Sequence, residues 1–190
     1  MKTQTAMDLT GKLLISMPGM EDPRFDASVI LICTHTGDGA MGLIVNKPVT
    51  DLSFKTLLEQ LGIPHLPAGR GISVHFGGPV ERGRGFVLHS PDYYAKDGTM
   101  SIAGSYGMTA TQDVLRALGR GEGPTQALLA LGYAGWGPGQ LEAEILRNDW
   151  LTTDAPADLV FASDAGAKWG AALRHLGVEP MALSSTAGRA

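Results

Sequence analysis

A lone thiol, five imidazoles and a few Gly-rich turns are the groups in this sequence whose types and spacing could do chemistry. Cys33 is the first candidate nucleophile. A reactive thiolate needs partial exposure and a cationic neighbour or a helix N-terminus, whereas Cys33 lies inside the apolar run Val29-Ile30-Leu31-Ile32-Cys33. In a strand, His35 two residues along points to the same face, which leaves a Cys33–His35 contact open. Free cysteine is among the most buried residue types, so the simpler reading is a thiol that packs.

The histidines are His35, His65, His75, His89 and His175. None forms an HxH or HxxxH pair or stands beside carboxylates at ligand spacing, so no metal centre is expected. The Gly-x-Ser-x-Gly nucleophile elbow is absent, because Gly104-Ser105-Tyr106-Gly107 has the wrong spacing. Glu142 and Glu144 fall on opposite sides of a predicted helix and do not converge on one bond. A Walker-type phosphate loop is absent too.

Gly135-Trp136-Gly137-Pro138-Gly139 joins a predicted strand to a predicted helix, a place where free N–H groups take anions. Pro138 removes one such donor, and no acidic ribose partner follows at dinucleotide spacing. A Gly-rich turn that fixes Trp136 against the sheet is the simpler reading. Asn46-Lys47-Pro48 ends another strand, and Lys47 is either an anion contact or a polar turn residue. No catalytic residue, cofactor or metal follows from these patterns.

The elements that position these groups announce themselves by short apolar runs between Gly, Pro and Asp. Strands are predicted over residues 12–16, 28–34, 42–46, 72–76, 85–89, 101–103 and 126–131. The run from Val29 to Cys33 is nearly continuous and β-branched, as in a central strand buried on both faces. Turns rather than helices separate the middle strands, so antiparallel pairing should dominate.

A first helix places Phe54, Leu57, Leu58 and Leu61 on one stripe, with Gly62 as its stop and Pro64 beyond. A second opens on Thr109-Ala110-Thr111-Gln112, a capping-box pattern, lines its inner face with Thr111, Leu115 and Leu118, and stops at Gly119. A third has Trp169, Ala172, Leu173 and Leu176 at helical spacing, with Asp164 as N-cap and Gly177 as stop. A shorter fourth covers residues 140–147, with Pro138 preset for its first turn and Leu141 above Ile145.

A chain of 190 residues with 44% hydrophobic and 18% charged residues suits one globular domain. Its expected extent is residues 8–177, with a flexible segment 1–7 before it and a disordered tail 178–190 after it. The 26 glycines point to many tight turns or close backbone approaches. A net charge of -4 argues against a nucleic-acid partner. The one basic cluster, Arg82, Arg84 and distant Arg70, is either a small anion-binding patch or, more simply, a solvated loop. One cysteine, no signal h-region and no apolar stretch of membrane-spanning length argue for a cytoplasmic protein.

Several loops together carry a resemblance. Met17-Pro18-Gly19-Met20-Glu21-Asp22-Pro23-Arg24-Phe25 and Gly39-Ala40-Met41-Gly42-Leu43-Ile44-Val45-Asn46-Lys47-Pro48 are followed by Phe76-Gly77-Gly78-Pro79-Val80. Gly132-Tyr133-Ala134-Gly135-Trp136-Gly137-Pro138-Gly139-Gln140-Leu141-Glu142, then Asn148-Asp149-Trp150-Leu151 and Leu159-Val160-Phe161, complete the set. In this order, over roughly residues 8–177, they resemble the YqgE/AlgH family. The resemblance implies an α/β (α+β) fold, with a largely antiparallel, barrel-like mixed sheet flanked by about four helices. Members are often labelled transcriptional regulators. The resemblance brings no catalytic or ligand residues to carry across, and this chain lacks a helix-turn-helix with a basic second helix.

The reading that follows is a non-enzymatic binding or adaptor protein, regulatory in role, acting on a protein or small-molecule partner through its Gly-rich loops. The residues expected to meet that partner are Asn46, Lys47, Gly77, Gly78, Pro79, Trp136 and Gln140. Two alternatives stand beside it. One is direct DNA binding; the other is an enzyme whose site assembles from Cys33, His35, Asn46, Lys47 and the loop 135–139.

Overall fold

A computed structural model of the chain describes residues 7–183. The expected flexible segment 1–7 and tail 178–190 lie outside the described residues, except for Met7 and residues 178–183. In the latter stretch Pro180–Ala182 form a 3-10 turn, and Val178 and Leu183 pack against the core.

Nine strands form one curled sheet: β1 Leu13–Ser16, β2 Val29–Thr36, β3 Gly39–Ile44, β4 Ser73–Phe76, β5 Val80–His89, β6 Thr99–Ile102, β7 Tyr106–Thr109, β8 Ala127–Trp136 and β9 Trp150–Thr153. Their order is β6-β7-β5-β8-β3-β2-β1-β9, with β4 joined to β8. Only the β4–β8 pairing is parallel, so the sheet is mixed and largely antiparallel, as expected. The two ends of the sheet curl towards each other. The Tyr106 hydroxyl donates to the carbonyl of Ala155, just past β9, and a Cβ on Gly11 would come within 2.7 Å of the Ala103 methyl.

β2 is the central strand that its composition announces, because all of residues 29–33 are at most 1% exposed. Val29, Leu31 and Cys33 enter one cluster with Leu13, Leu43 and Leu173, while Ile30 and Ile32 enter another with Leu14, Trp136 and Trp150. Alternation along one strand thus fills two cores on opposite faces.

Five α-helical segments flank the sheet: α1 Phe54–Gln60, α2 Asp113–Gly119, α3 Gln140–Leu146, α4 Ala157–Val160 and α5 Lys168–His175. In α1 the Ser53 hydroxyl accepts from the Thr56 amide, Phe54 and Leu58 are buried, and Gly62 at φ +69° ends the helix. Leu61, placed on the buried stripe by spacing, is 42% exposed because the helix has already ended at Gln60.

The expected capping box of α2 does not form. Thr109 belongs to β7, where its hydroxyl bonds Thr99 and the His89 ring, so it is unavailable to the helix. α2 begins at Asp113 without a side-chain cap, and Thr111 is exposed. Pro138 is likewise not in the first turn of α3, whose N-cap is Gly139 in the left-handed region at φ +73°. Asp164 precedes a 3-10 turn, Ala165–Ala167, rather than α5 itself, and its side chain caps nothing. Leu176 lies past the end of α5 and is 37% exposed. Strands β7 and β9 and the four-residue α4 have too few residues to show a period and escape the sequence reading.

Between β4 and β5 the chain makes an unusual passage. Residues 128–131 of β8 pair with β4 along one edge and with β5 along the other. Residues 77–79 therefore cross β8 at Gly132-Tyr133. The Gly77 amide donates to the Leu131 carbonyl at 2.8 Å, and its own carbonyl receives the Ile44 amide at 2.9 Å. A Cβ on Gly77 or Gly78 would strike the backbone of Gly132 or Tyr133. Only hydrogen at these positions allows two main chains to touch.

Candidate functional site

A groove of about 710 Å³ opens where β8 leaves β5 and turns to pair with β3. Gly132, at φ +75°, marks that turn. One wall is the β2–β3 hairpin, whose tip is fixed by the Asp38 amide donating to the Thr36 hydroxyl. The other wall is a four-residue excursion of β5, residues 81–84, where pairing with β8 breaks between Val80 and Gly85. Met41, Phe86, Met108 and Tyr133 make the floor. Trp136 touches its edge, while its ring packs in the opposite core against Trp150. Polar groups stand on both walls, Thr34, Thr36 and Asp38 on one and Glu81 and Arg84 on the other.

The floor has aromatic order. Phe86 and Tyr133 meet edge to face, with centroids 6.0 Å apart at 89°. The Arg84 guanidinium stands 5.0 Å from the centre of the Phe86 ring, a cation–π geometry, and 3.6 Å from the Glu81 carboxylate. A cation on a strand excursion, held over an aromatic ring, is displayed to anything entering the groove.

Cys33 and His35 do not meet. The β2–β3 register shifts between Ile32 and Thr34, so β2 carries one extra residue there, a bulge. Strict alternation would keep Cys33 and His35 on one face; the bulge turns His35 to the other. Cys33 is 1% exposed in the core beside Leu31, and burial pushes its thiol up to about 12. His35 is also buried, but its Nδ1 accepts from the Leu9 amide at 3.0 Å and its Nε2 faces the Glu142 carboxylate. The Glu142 backbone amide and His35 hold that carboxyl below its usual range.

The enzyme constellation is dispersed. Cys33 is sealed in the core, His35 faces α3, and Asn46 and Lys47 tie down a turn. The Asn46 side chain accepts from the Val29 amide at 2.9 Å and donates to the Ala27 carbonyl at 2.8 Å, while Lys47 Nζ donates to the Asp26 carbonyl. Of the residues singled out for binding, Trp136 lines the groove, Gly77 and Gly78 are buried in the crossing, and Pro79 leads into Val80 at the groove's edge. Gln140 is exposed, and its Oε1 accepts from the Gly137 amide at 3.0 Å, closing the loop before α3.

Other buried polar groups have no sequence signal. Lys168 is 2% exposed, and its ammonium donates to the carbonyls of Val45 at 2.8 Å and Val160 at 2.7 Å, fastening α5 to the sheet and to the end of α4. Burial pushes its pKa down to about 8. His75, also 2% exposed, has an Nδ1 without a hydrogen-bond partner; burial first, and the Lys168 charge second, push it down to about 4. Its neighbours in the fold come from residues 47–49, which lie along β4, and nothing local predicts that. Phe86 and Tyr133 escaped as groove residues because the register break in β5 that brings them together leaves no local pattern.

Among the described residues no three His, Cys, Asp or Glu side chains are grouped to hold a metal ion, and no helix is long and apolar enough to cross a membrane. A UPF0301 protein of Cereibacter sphaeroides is 65% identical over 184 residues, covering 97% of this chain and 100% of the relative. A UPF0301 protein of Ruegeria pomeroyi is 58% identical over 185 residues, again covering 97% and 100%. Among solved structures, the AlgH protein of Pseudomonas aeruginosa is similar with a TM-score of 0.77 at 41% identity, over 100% of both chains. A Corynebacterium diphtheriae protein shares the fold with a TM-score of 0.72 at 24% identity, over 92% of this chain and 89% of the other. With these relatives, and with the AlgH-like family matched over residues 13–181, the chain belongs to the AlgH-like family.

Proposed function

We propose that the protein is a non-enzymatic, regulatory binding protein of the cytoplasm, and that its partner is a small molecule held in the groove between the β2–β3 hairpin, the β5 excursion and β8. The observation that carries this reading is the groove itself. Its volume, about 710 Å³, falls in the range of small-molecule sites, and its aromatic and thioether floor is flanked by a few polar groups on both walls. Such a site fits a ligand with an apolar, flat body and a polar end that meets Arg84 and the Thr34 hydroxyl.

The Gly-rich loops serve this site indirectly. Gly135 and Trp136 line it, and the crossing at Gly77 and Gly78 brings Val80 to its edge. The single thiol suits a reducing compartment. Direct DNA binding gains no support, because none of the five described helices exceeds eight residues and the net charge is -4.

The test is a fragment panel of apolar-bodied molecules with polar ends, screened by thermal shift and mapped by methyl NMR. Bound fragments are expected to move the Met41 and Met108 methyl signals and to lose affinity at least tenfold in Tyr133→Ala. Fragments that bind only elsewhere, or a panel without any binder, overturn the reading.

A further inference from the structure

The groove wall has a second side. Thr34 and Thr36 of β2 line the groove, while His35 between them points the opposite way, into a pocket closed by Leu9 and α3. The Leu9 amide donates to Nδ1, so in the neutral ring the proton resides on Nε2, where it is donated to Glu142. One imidazole therefore joins three pieces of chain: the segment before β1, the bulged strand β2, and α3, which follows β8 after a short Gly-rich turn.

We infer that His35 is a positioning residue for the proposed groove, a proton-dependent clasp that holds its β2 wall against α3 and the N-terminal segment. The inference rests on the groove reading for its purpose, but its mechanism is independent of any ligand. Protonating Nδ1 turns the acceptor of the Leu9 amide into a donor, and two donors then face each other. The contact with Glu142 becomes a full ion pair at the same moment. Acid therefore trades the Leu9 tie for a stronger α3 tie and shifts the wall between them.

The charged groups around the ring come from two elements. Asp8, on the N-terminal segment, acts on it electrostatically, and Glu142 bonds it from α3. β3 presents only Ala40 opposite His35. Asp8 accepts from the Thr10 amide at 2.9 Å, and among the described residues it makes no hydrogen bond to the Leu9 amide or the His35 ring.

The experiment is a ligand-free NMR titration of the full chain from neutral pH into acid. It follows the His35 ring nitrogens, the Leu9 amide exchange rate and the Thr34 and Met41 methyl signals. At neutral pH the ring is expected as the Nε2–H tautomer. On acidification Leu9 protection should fall at least tenfold beyond the intrinsic pH effect, and the groove methyls should move with the midpoint of the ring. His35→Asn, whose side-chain oxygen keeps an acceptor near Leu9 and does not titrate, should flatten both responses. If that variant does not fold, the wild-type titration carries the test alone. An Nδ1–H ring at neutral pH, or groove methyls that ignore the ring midpoint, overturns the inference. Because no ligand is added, a groove that binds nothing leaves this result unchanged, and failure here leaves the fragment screen unchanged.

Discussion

Gly78 and Gly132 meet backbone to backbone: a Cβ on Gly132, which is held at φ +75°, would collide with the Gly78 carbonyl oxygen. This contact lets the chain pass from the β4 edge of β8 to its β5 edge in three residues. It also places the bend of β8 that opens the groove. The Gly-Gly-Pro motif and the glycine 54 residues later in the chain (78 to 132) are thus two halves of one crossing.

Replacing Gly132 tests this directly. Gly132→Ala combines left-handed strain with a collision between main chains, and is expected to lose ~3 kcal/mol or more. Gly139 has nearly the same φ, +73°, but nothing within 4 Å of its would-be Cβ. Gly139→Ala should therefore lose about 1 kcal/mol, from strain alone. Urea unfolding of both variants separates the two terms, and equal losses would contradict the crossing.

His75 sets a limit on acid stability. Its pKa is pushed from 6.5 to about 4 in the fold, so the unfolded chain binds more protons between those values. Stability is fully present above pH 6.5 and falls as pH drops towards 4, by on the order of 3 kcal/mol from this ring. A denaturation series over that window should show the fall, and His75→Phe should flatten it.

Lys168 acts at the other end of the scale. Burial lowers its pKa from 10.5 to about 8, so the unfolded chain again holds more protons, now between pH 8 and 10.5. Stability should rise through that window as the penalty of a buried charge is lifted. The Val45 and Val160 carbonyls favour the ammonium and shrink the rise. In Lys168→Met the rise should vanish; the same slope in the variant would assign it to another group.

Cys33 should be inert while the chain is folded. With its thiol pushed from 9.0 to about 12, it carries about three orders of magnitude less thiolate at neutral pH, and it is 1% exposed. Labelling by a disulfide reagent is expected only through unfolding, with a rate that follows denaturant concentration. Rapid labelling of the native protein would place the thiol at a surface.

Much of the fold was legible from local pattern. The buried run from Val29 to Cys33, the stripe of Phe54 and Leu58, and the stops at Gly62 and Gly177 all appear where their chemistry points. Thr109 shows why such reasoning stops short. Its spacing to Gln112 matches a capping box, yet a buried His89 across the sheet claims the same hydroxyl at 2.7 Å. Local hydrogen bonds lose to a partner that removes a larger desolvation cost.

The candidate site was less legible. Trp136 stands in a loop with a legible pattern and Arg84 in the one basic cluster, whereas Phe86 and Tyr133 carry no local signal for the groove they line. They converge because β5 breaks register between Val80 and Gly85 as it pairs with β8. Residues 81–84 read simply as a charged, Gly-interrupted loop.

The sequence by itself determined the family, the mixed sheet and the two-faced burial of β2. These follow from side-chain size, apolar period and backbone freedom, which are properties of neighbours along the chain. Tertiary structure alone decided that His35 turns away from Cys33 and that Gly78 rests on Gly132. It also decided that Lys168 ends its side chain on two carbonyls. A bulge is set by the strand on the other side of the ladder, and a close approach by a residue far along the chain; neither leaves a mark in local spacing.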